Sequence, residues 1–413
     1  MEHRVVITGL GVITPVGNTV DVFWKNITAG VLGITPIVGL EEYNLPVSLA
    51  GQIKDFVPAD YGIDSASVRR SDLFCQYAMA ATSQAVAQSG LESGSNIAPE
   101  RFGVYIGSGI GGIHTFSAEN SKLDREGAKW VSPLFIPMMI SNIASGNVAI
   151  KYNAQGVCVP VVTACATGTH SIGEAYRAIK HGYADAIISG GAEASIHPIA
   201  IAGFANSKAL SRSTDPTEAS LPFDRRRGGF VIAEGAGIMV LEEYEHAVKR
   251  GATIIAEMCG YGNSCDAYHY TAPRPDGTAA ARAISEALSE AAYTSSDKLY
   301  INAHGTGTPL NDKSETAAIK IAMGDAEAHR AMIDSTKSMT GHMLGATGGV
   351  EAVVAALALR DGIVPPTIGL TEPDPECDLD YTPLTARQAP LTVAISNSLG
   401  FGGHNACIAL RKF

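Results

Sequence analysis

The chain has 413 residues, 46% hydrophobic and 17% charged, with 44 glycines; this excludes a disordered or fibrous protein and bounds a compact, turn-rich α/β chain of two domains or two fused halves. Its net charge of −11, from 30 Lys and Arg against 41 Asp and Glu, excludes a nucleic-acid binder and leaves room only for a local basic patch. Seven scattered cysteines without Cys-x-x-Cys spacing argue against a disulfide framework or thiolate zinc site and for a reducing cytoplasm, and no apolar run is long enough for membrane insertion.

The first residues, Met1-Glu-His-Arg-Val-Val-Ile, carry no signal-peptide pattern and read as a buried strand over 4–7. A helix is expected over 78–88 and a strand over 102–106. The following Gly107-Ser-Gly-Ile-Gly-Gly112 has dinucleotide-loop spacing, but it lies mid-chain without an acidic residue at the required distance, so nucleotide binding is not expected. Residues 108–131 read as a polar surface insertion, and 205–227 as a long loop. Further strands are expected over 186–189, 237–241 and 299–303. Further helices are expected over 173–181, 278–292 and 348–360. This alternation predicts parallel strands covered by helices. A strand followed by a glycine turn at 393–403 echoes the turn around residue 165, which suggests duplicated halves meeting near residue 250.

Four windows carry chemistry. In Pro160-Val-Val-Thr-Ala-Cys165-Ala-Thr-Gly168-Thr-His170, a cysteine stands between a strand and a helix start. Orphan N–H groups and the helix dipole there are expected to lower its pKa; a buried structural thiol is the other reading. Ile301-Asn-Ala-His304-Gly-Thr306-Gly-Thr308 ends a strand on a histidine, where open α/β sheets place reactive groups; a satisfied loop histidine is the alternative. Ser335-Thr-Lys337-Ser-Met-Thr-Gly-His342 sets a lysine and a histidine five apart in a loop before an Ala-rich helix, with Glu351 available as a buried counter-ion; a solvated lysine and a capping histidine are the alternative. Asn397-Ser-Leu-Gly-Phe401-Gly-Gly403 flanks a phenylalanine with glycines, as a movable gate would, or as a core residue at a bulge. One cysteine and two histidines, without P-loop, Gly-x-Ser-x-Gly elbow or histidine-rich metal spacing, point to acyl-thioester chemistry.

Together these windows resemble the elongating, type II β-ketoacyl-acyl carrier protein synthases. The resemblance runs from Val5-Val-Ile-Thr-Gly-Leu-Gly to Gly402-Gly-His-Asn, through Pro222-Phe-Asp-Arg and Ala233-Glu-Gly-Ala-Gly. It implies a thiolase-like α/β fold of five layers, α-β-α-β-α, in two pseudo-duplicated halves: 1–250 carrying the nucleophile, 251–413 carrying both histidines and the gate. It implies a cytoplasmic homodimer that uses acyl and malonyl thioesters on an acyl carrier protein. No catalytic cofactor is implied beyond the phosphopantetheine that the substrates carry.

By position, Cys165 would be the acylated nucleophile. His304 and His342 would stabilise the malonyl enolate, with Lys337 and Glu351 supporting the charge. The N–H groups of Cys165 and Phe401 would form the oxyanion hole. Ile110, Phe204, Thr271, Thr306 and Thr308 would line the acyl and pantetheine channel. Arg69, Arg70, Lys129 and Lys208 are candidates for the carrier-protein patch. Asn302, Glu351 and Ser396 are candidates for a structural monovalent or divalent cation. The chain departs from the family pattern at Ala166, Gly228, Leu399 and His404. A coenzyme A thiolase would need a second reactive cysteine where this chain has Gly-Phe-Gly-Gly, and an initiating ketosynthase would carry Asn in place of His342.

Overall fold

The computed structural model describes residues 2–413. Nine strands form one mixed sheet: β1 (Val5–Ile13), β2 (Phe102–Gly107), β3 (Ala186–Glu193), β4 (Gly235–Glu243), β5 (Ala256–Cys265), β6 (Leu299–Asn302), β7 (Met332–Asp334), β8 (Val393–Gly400) and β9 (His404–Arg411). Their order is β2-β3-β4-β1-β5-β9-β8-β6-β7.

The expectation of a parallel sheet is corrected. β2/β3, β8/β6 and β6/β7 are parallel, whereas β3/β4, β4/β1, β1/β5, β5/β9 and β9/β8 are antiparallel. Strand direction follows long-range pairing, which a local β-then-α rhythm does not encode.

The pairing directions mirror one another about the β1/β5 seam. Read outward from it, β4, β3 and β2 repeat the directions of β9, β8 and β6. A parallel bridge from Cys158 to Val104 stands at the outer edge where β7 stands in the other set.

Six helices complete the framework: α1 (Leu73–Ser89), α2 (Ile143–Tyr152), α3 (Thr167–Lys180), α4 (Thr278–Glu290), α5 (Pro309–Met323) and α6 (Thr347–Asp361). α1 packs on β1 and β4, with α2 beside it on β2. α4 packs on β5 and β9, with α5 against it. α3 and α6 lie between the two sets of strands and touch both, which gives five layers, α-β-α-β-α. Every residue over 347–359 is buried, so α6 is enclosed all round, as its Ala-Val-Leu-rich sequence allows, with Thr347 and Glu351 its buried polar exceptions.

α3 and α6 begin alike. Each follows a one-turn 3-10 segment, Ala164–Ala166 or Leu344–Ala346, entered through a left-handed residue, Ala164 at φ 51° or Leu344 at φ 48°. The structural counterpart of the Cys165 turn is therefore the turn before α6, and not 393–403, which is the β8–β9 hairpin. The two helix starts meet closely: a Cβ on Gly168 would lie 2.5 Å from the backbone nitrogen of Gly349. The 108–131 stretch contains a surface helix, Ile113–Glu126, with no buried residue.

Candidate active site

Cys165 sits in the tight turn before α3, 8% exposed, on the wall of a cavity of about 370 Å³. The left-handed Ala164 aims it; a non-glycine residue there stores strain of the kind found at reactive sites. The backbone N–H groups of Phe401 and of Cys165 itself both favour the ionised sulfur. Gly400 makes that approach feasible, since its Cα faces Thr163 O and the backbone nitrogens of Cys165 and Ala166 with no room for a side chain.

The expected lowering of the thiol pKa is corrected. Burial pushes the thiol up to about 11, while the Phe401 N–H and the Lys337 charge pull it down without offsetting that cost, and Glu193 pushes it up further. The helix-terminus rule omits desolvation, which dominates here.

β6 delivers His304 to the same cavity. The backbone N–H groups of His304 and Gly305 donate to Glu315 Oε1 and Oε2 at 2.8 Å each, so a buried carboxylate from α5 fixes the strand end. Burial raises that carboxyl to about 6 against the pull of the two N–H donors. His342 lies one segment further on. Its N–H donates to Val231 O at 2.7 Å and its carbonyl accepts from Ala233 N–H at 2.9 Å. Its Nδ1 meets Thr347 Oγ1, the first residue of α6, at 3.0 Å. The two imidazoles meet edge to face, centroids 5.3 Å apart. Burial first and the Lys337 charge second hold both well below the ordinary imidazole range.

Lys337 begins a one-turn helix, Lys337–Thr340, where a loop was expected. Its ammonium lies 2.5 Å from Glu351 Oε1 on α6. Burial lifts Glu351 to about 7 against the pull of Lys337. From the hairpin tip, Phe401 begins a file of rings: Phe204 at 6.2 Å, Phe230 at 5.6 Å from Phe204, and His342 at 5.1 Å from Phe230.

Of the expected channel residues, Phe204, Thr271, Thr306 and Thr308 line the cavity with Cys165 and both histidines. The Thr306 and Thr308 hydroxyls lie 2.9 Å apart. Ile110 does not line it; it is 38% exposed and its N–H donates to Glu193 at 3.1 Å. Lys208 reaches the cavity, whereas Arg69, Arg70 and Lys129 are exposed away from it.

Ser396, Asn302 and Asp334 stand side by side across β8, β6 and β7. Asn302 Oδ1, Asp334 Oδ2, Glu351 Oε2 and Ser396 Oγ are all buried without a hydrogen-bond partner. Such a set of hard oxygen atoms suits a hard cation.

Sequence reasoning missed Glu315, Thr347, Phe230, Asp334 and Glu193. In a sequence, a buried carboxylate looks like any surface acid. The available signal was a Glu closing the small, apolar run of 186–193.

The chain belongs to the β-ketoacyl synthase family: the model of its N-terminal domain matches residues 2–247 and that of its C-terminal domain residues 255–371. It is 50% identical over 412 residues to the 3-oxoacyl-[acyl-carrier-protein] synthase 2 of Staphylococcus aureus strain COL, covering all of this chain and 99% of that one. To the protein of the same name from Synechocystis it is 48% identical over 413 residues, with the same coverage. Among solved structures, a type II PKS ketosynthase in complex with its acyl-carrier protein superposes over the full length of both chains with a TM-score of 0.91 at 36% identity. A beta-ketoacyl synthase from Burkholderia phymatum does so with 0.91 at 34%.

Proposed function

We propose that this enzyme is an acyltransferase of the type II elongating class, catalysing decarboxylative Claisen condensation of an acyl-carrier protein thioester with malonyl-carrier protein. The observation that carries the reading is the convergence of Cys165, His304, His342 and Phe401 on one cavity. The full-length likeness to relatives named 3-oxoacyl-[acyl-carrier-protein] synthase 2 supports the substrate class.

Cys165 sulfur attacks the acyl thioester carbonyl, and the developing oxyanion is held by the N–H groups of Cys165 and Phe401. Such a donor is worth about 2.7–4 kcal/mol. The carrier thiol leaves with the cysteine proton, giving the acyl-enzyme. Malonyl thioester then binds, and its terminal carboxylate departs as carbon dioxide. The released electron pair forms an enolate, whose oxygen accepts hydrogen bonds from Nε2–H of His304 and His342. Thr347 occupies Nδ1 of His342, which leaves Nε2 for this task. The enolate carbon attacks the acyl carbonyl and Cys165 sulfur is expelled, yielding 3-oxoacyl carrier protein.

Lys337 and Glu351 support the charge network. Asn302, Glu351 and Ser396, joined by Asp334, would hold a structural cation, whose chemistry there is to neutralise buried acidic oxygen. Phe204, Thr271, Thr306 and Thr308 would guide the acyl and pantetheine chain, with Phe401 as gate. Lys208, with Arg69, Arg70 and Lys129, would face the acidic carrier.

A division into halves near residue 250 fits the mirrored strand order. A homodimer fits the exposed apolar edge around Val159 and Val162 beside β2. No helix among the described residues is long and apolar enough to cross a membrane; cytoplasmic placement rests on the cysteine pattern.

The test is purified enzyme with acyl and malonyl carrier protein, read by mass spectrometry. The two-carbon-longer 3-oxo product is expected, and Cys165→Ala should form no acyl-enzyme. Hydrolysis alone would overturn the reading.

A further inference from the structure

Glu193 ends β3 fully buried, with no ion-pair partner among the described residues. Its Oε1 accepts from the Ser108 hydroxyl at 2.7 Å and from Ile110 N–H at 3.1 Å. Its Oε2 accepts from Gly109 N–H at 2.8 Å and from Gly345 N–H at 3.0 Å. The glycine loop after β2, whose spacing imitates a phosphate cradle, thus wraps its N–H groups around an internal carboxylate. Ser108 Oγ closes the loop by accepting from Gly111 N–H at 2.9 Å.

The fourth donor comes from the turn before α6, in the other half of the chain. Gly345 lies between His342 and Thr347, the pair joined through Nδ1. The loop also runs behind the nucleophile: a Cβ on Gly109 would stand 3.5 Å from Ala164 O and 3.6 Å from Gly345 N. One carboxylate therefore joins the glycine loop to the His342 turn, against the back of the Cys165 turn.

We propose that Glu193 is a positioning residue: it clamps loop 108–111 to Gly345 and so sets His342 and Thr347 relative to Cys165. This rests on the condensation reading, because only condensation needs both centres in register at once. A displacement of about 1 Å at such a site costs on the order of 10²-fold in rate.

The clamp also has an electrostatic signature. Glu193 is surrounded only by donors, which select the carboxylate although burial pushes its pKa up. Its charge opposes ionisation of Cys165 from behind, while the buried Lys337 charge favours it. The other titratable groups around the thiol are His304 and His342 in the cavity, Lys208 and Asp266 at its wall, and His170 further along α3.

The test compares Glu193→Gln, which removes the charge and turns an amide NH₂ toward N–H donors, with Ser108→Ala, which removes one bond and keeps the charge. Three rates are read on the full chain: acylation of Cys165, malonyl decarboxylation without acyl donor, and condensation. A fourth, substrate-free reading is the pH midpoint of Cys165 alkylation.

For Glu193→Gln, condensation should fall about 10²-fold while each partial reaction stays within about threefold. The alkylation midpoint should drop by roughly half a unit to one unit. For Ser108→Ala, condensation should fall about tenfold with the midpoint unmoved. Parallel losses in all three rates would mark Glu193 as merely structural and overturn the proposal; so would wild-type condensation with an unshifted midpoint. If Glu193→Gln does not fold, Ser108→Ala decides: a selective loss of condensation supports the clamp, and none overturns it. The alkylation reading needs no substrate, so it can fail or succeed independently of the condensation reading.

Discussion

Lys337 Nζ lies 2.5 Å from Glu351 Oε1, and each side chain is only 1% exposed. The pair ties the segment leading to His342 to the central helix α6, and the Lys337 charge acts on Cys165, His304, His342 and Glu351 together. Breaking a buried pair leaves the survivor charged and unpaired, whereas replacing both partners by apolar groups is often neutral. Glu351→Met should therefore cost about 3–5 kcal/mol in urea unfolding, and the double variant Lys337→Met with Glu351→Met should recover most of it. A double variant no more stable than the single one would contradict this account.

Glu234 gives a pH-dependent stability. It is buried, accepts from Ile53 N–H at 3.1 Å and has no cation beside it. Burial raises its carboxyl from 4.5 to about 7, against the Ile53 N–H and the Tyr77 hydroxyl. The folded value lies above the unfolded one, so the protonated form favours folding. That contribution is full below about pH 4.5 and is lost as pH rises through 7. Glu234→Gln keeps an acceptor for both donors and cannot ionise. Its unfolding free energy should exceed that of the parent at pH 8 by up to about 3 kcal/mol and approach it at pH 4.5. Denaturant titrations at the two pH values measure the difference.

A thiol held near 11 is mostly protonated in the free enzyme at neutral pH. Because the thiolate is the nucleophile, iodoacetamide labelling of Cys165 should accelerate about tenfold per pH unit from pH 7 to 9. Lys337→Met removes the favourable charge and should slow labelling at every pH in that range. A plateau below pH 9 would mean that the helix terminus outweighs burial after all.

Much of this site was legible before the structure. Cys165, His304, His342, Lys337 and Phe401 are marked by turns rich in small residues at the ends of apolar runs, and chain folding brings those turns together. Strand direction was not legible, because a run such as 237–241 reads equally apolar whichever way its neighbour points. The true partner of the Cys165 turn was missed since its likeness to the turn before α6 lies in backbone angles at Ala164 and Leu344, residues with no left-handed signature. The thiol pKa was misjudged because burial is a property of the packed whole. Glycines 107–112 signal an anion, and the anion proved to be a side chain 81 residues beyond the loop's end, at Glu193.

The His304 and His342 imidazoles are held well below the ordinary range by burial and by Lys337, so they are neutral across physiological pH. Malonyl decarboxylation should therefore show no acid limb between pH 6 and 8. His304→Ala and His342→Ala should each lower it by about 10²–10³-fold, the usual effect of removing an oxyanion donor, while acylation of Cys165 survives. Thr347→Val frees Nδ1 of His342 and should produce a smaller loss of the same kind, seen in the decarboxylation rate and not in acylation.

At Gly400 the β8–β9 hairpin crosses the Cys165 turn. An added Cβ would lie 2.8 Å from Thr163 O, 3.2 Å from Ala166 N and 3.3 Å from Cys165 N. All three are backbone atoms, so no side chain can swing away, and either the β8–β9 hairpin or the Cys165 turn must shift. Either movement separates the Phe401 N–H from the sulfur it faces. Gly400→Ala should then lose most of one oxyanion donor, lowering the acylation rate by about 10²-fold. His304 and His342 are carried by other segments, so malonyl decarboxylation should be nearly retained. An acyl-transfer assay on folded Gly400→Ala, run beside the decarboxylation assay, separates the two effects. Equal losses would mean that the hairpin shift reaches the histidines, and that the two N–H donors do not act at the acylation step alone.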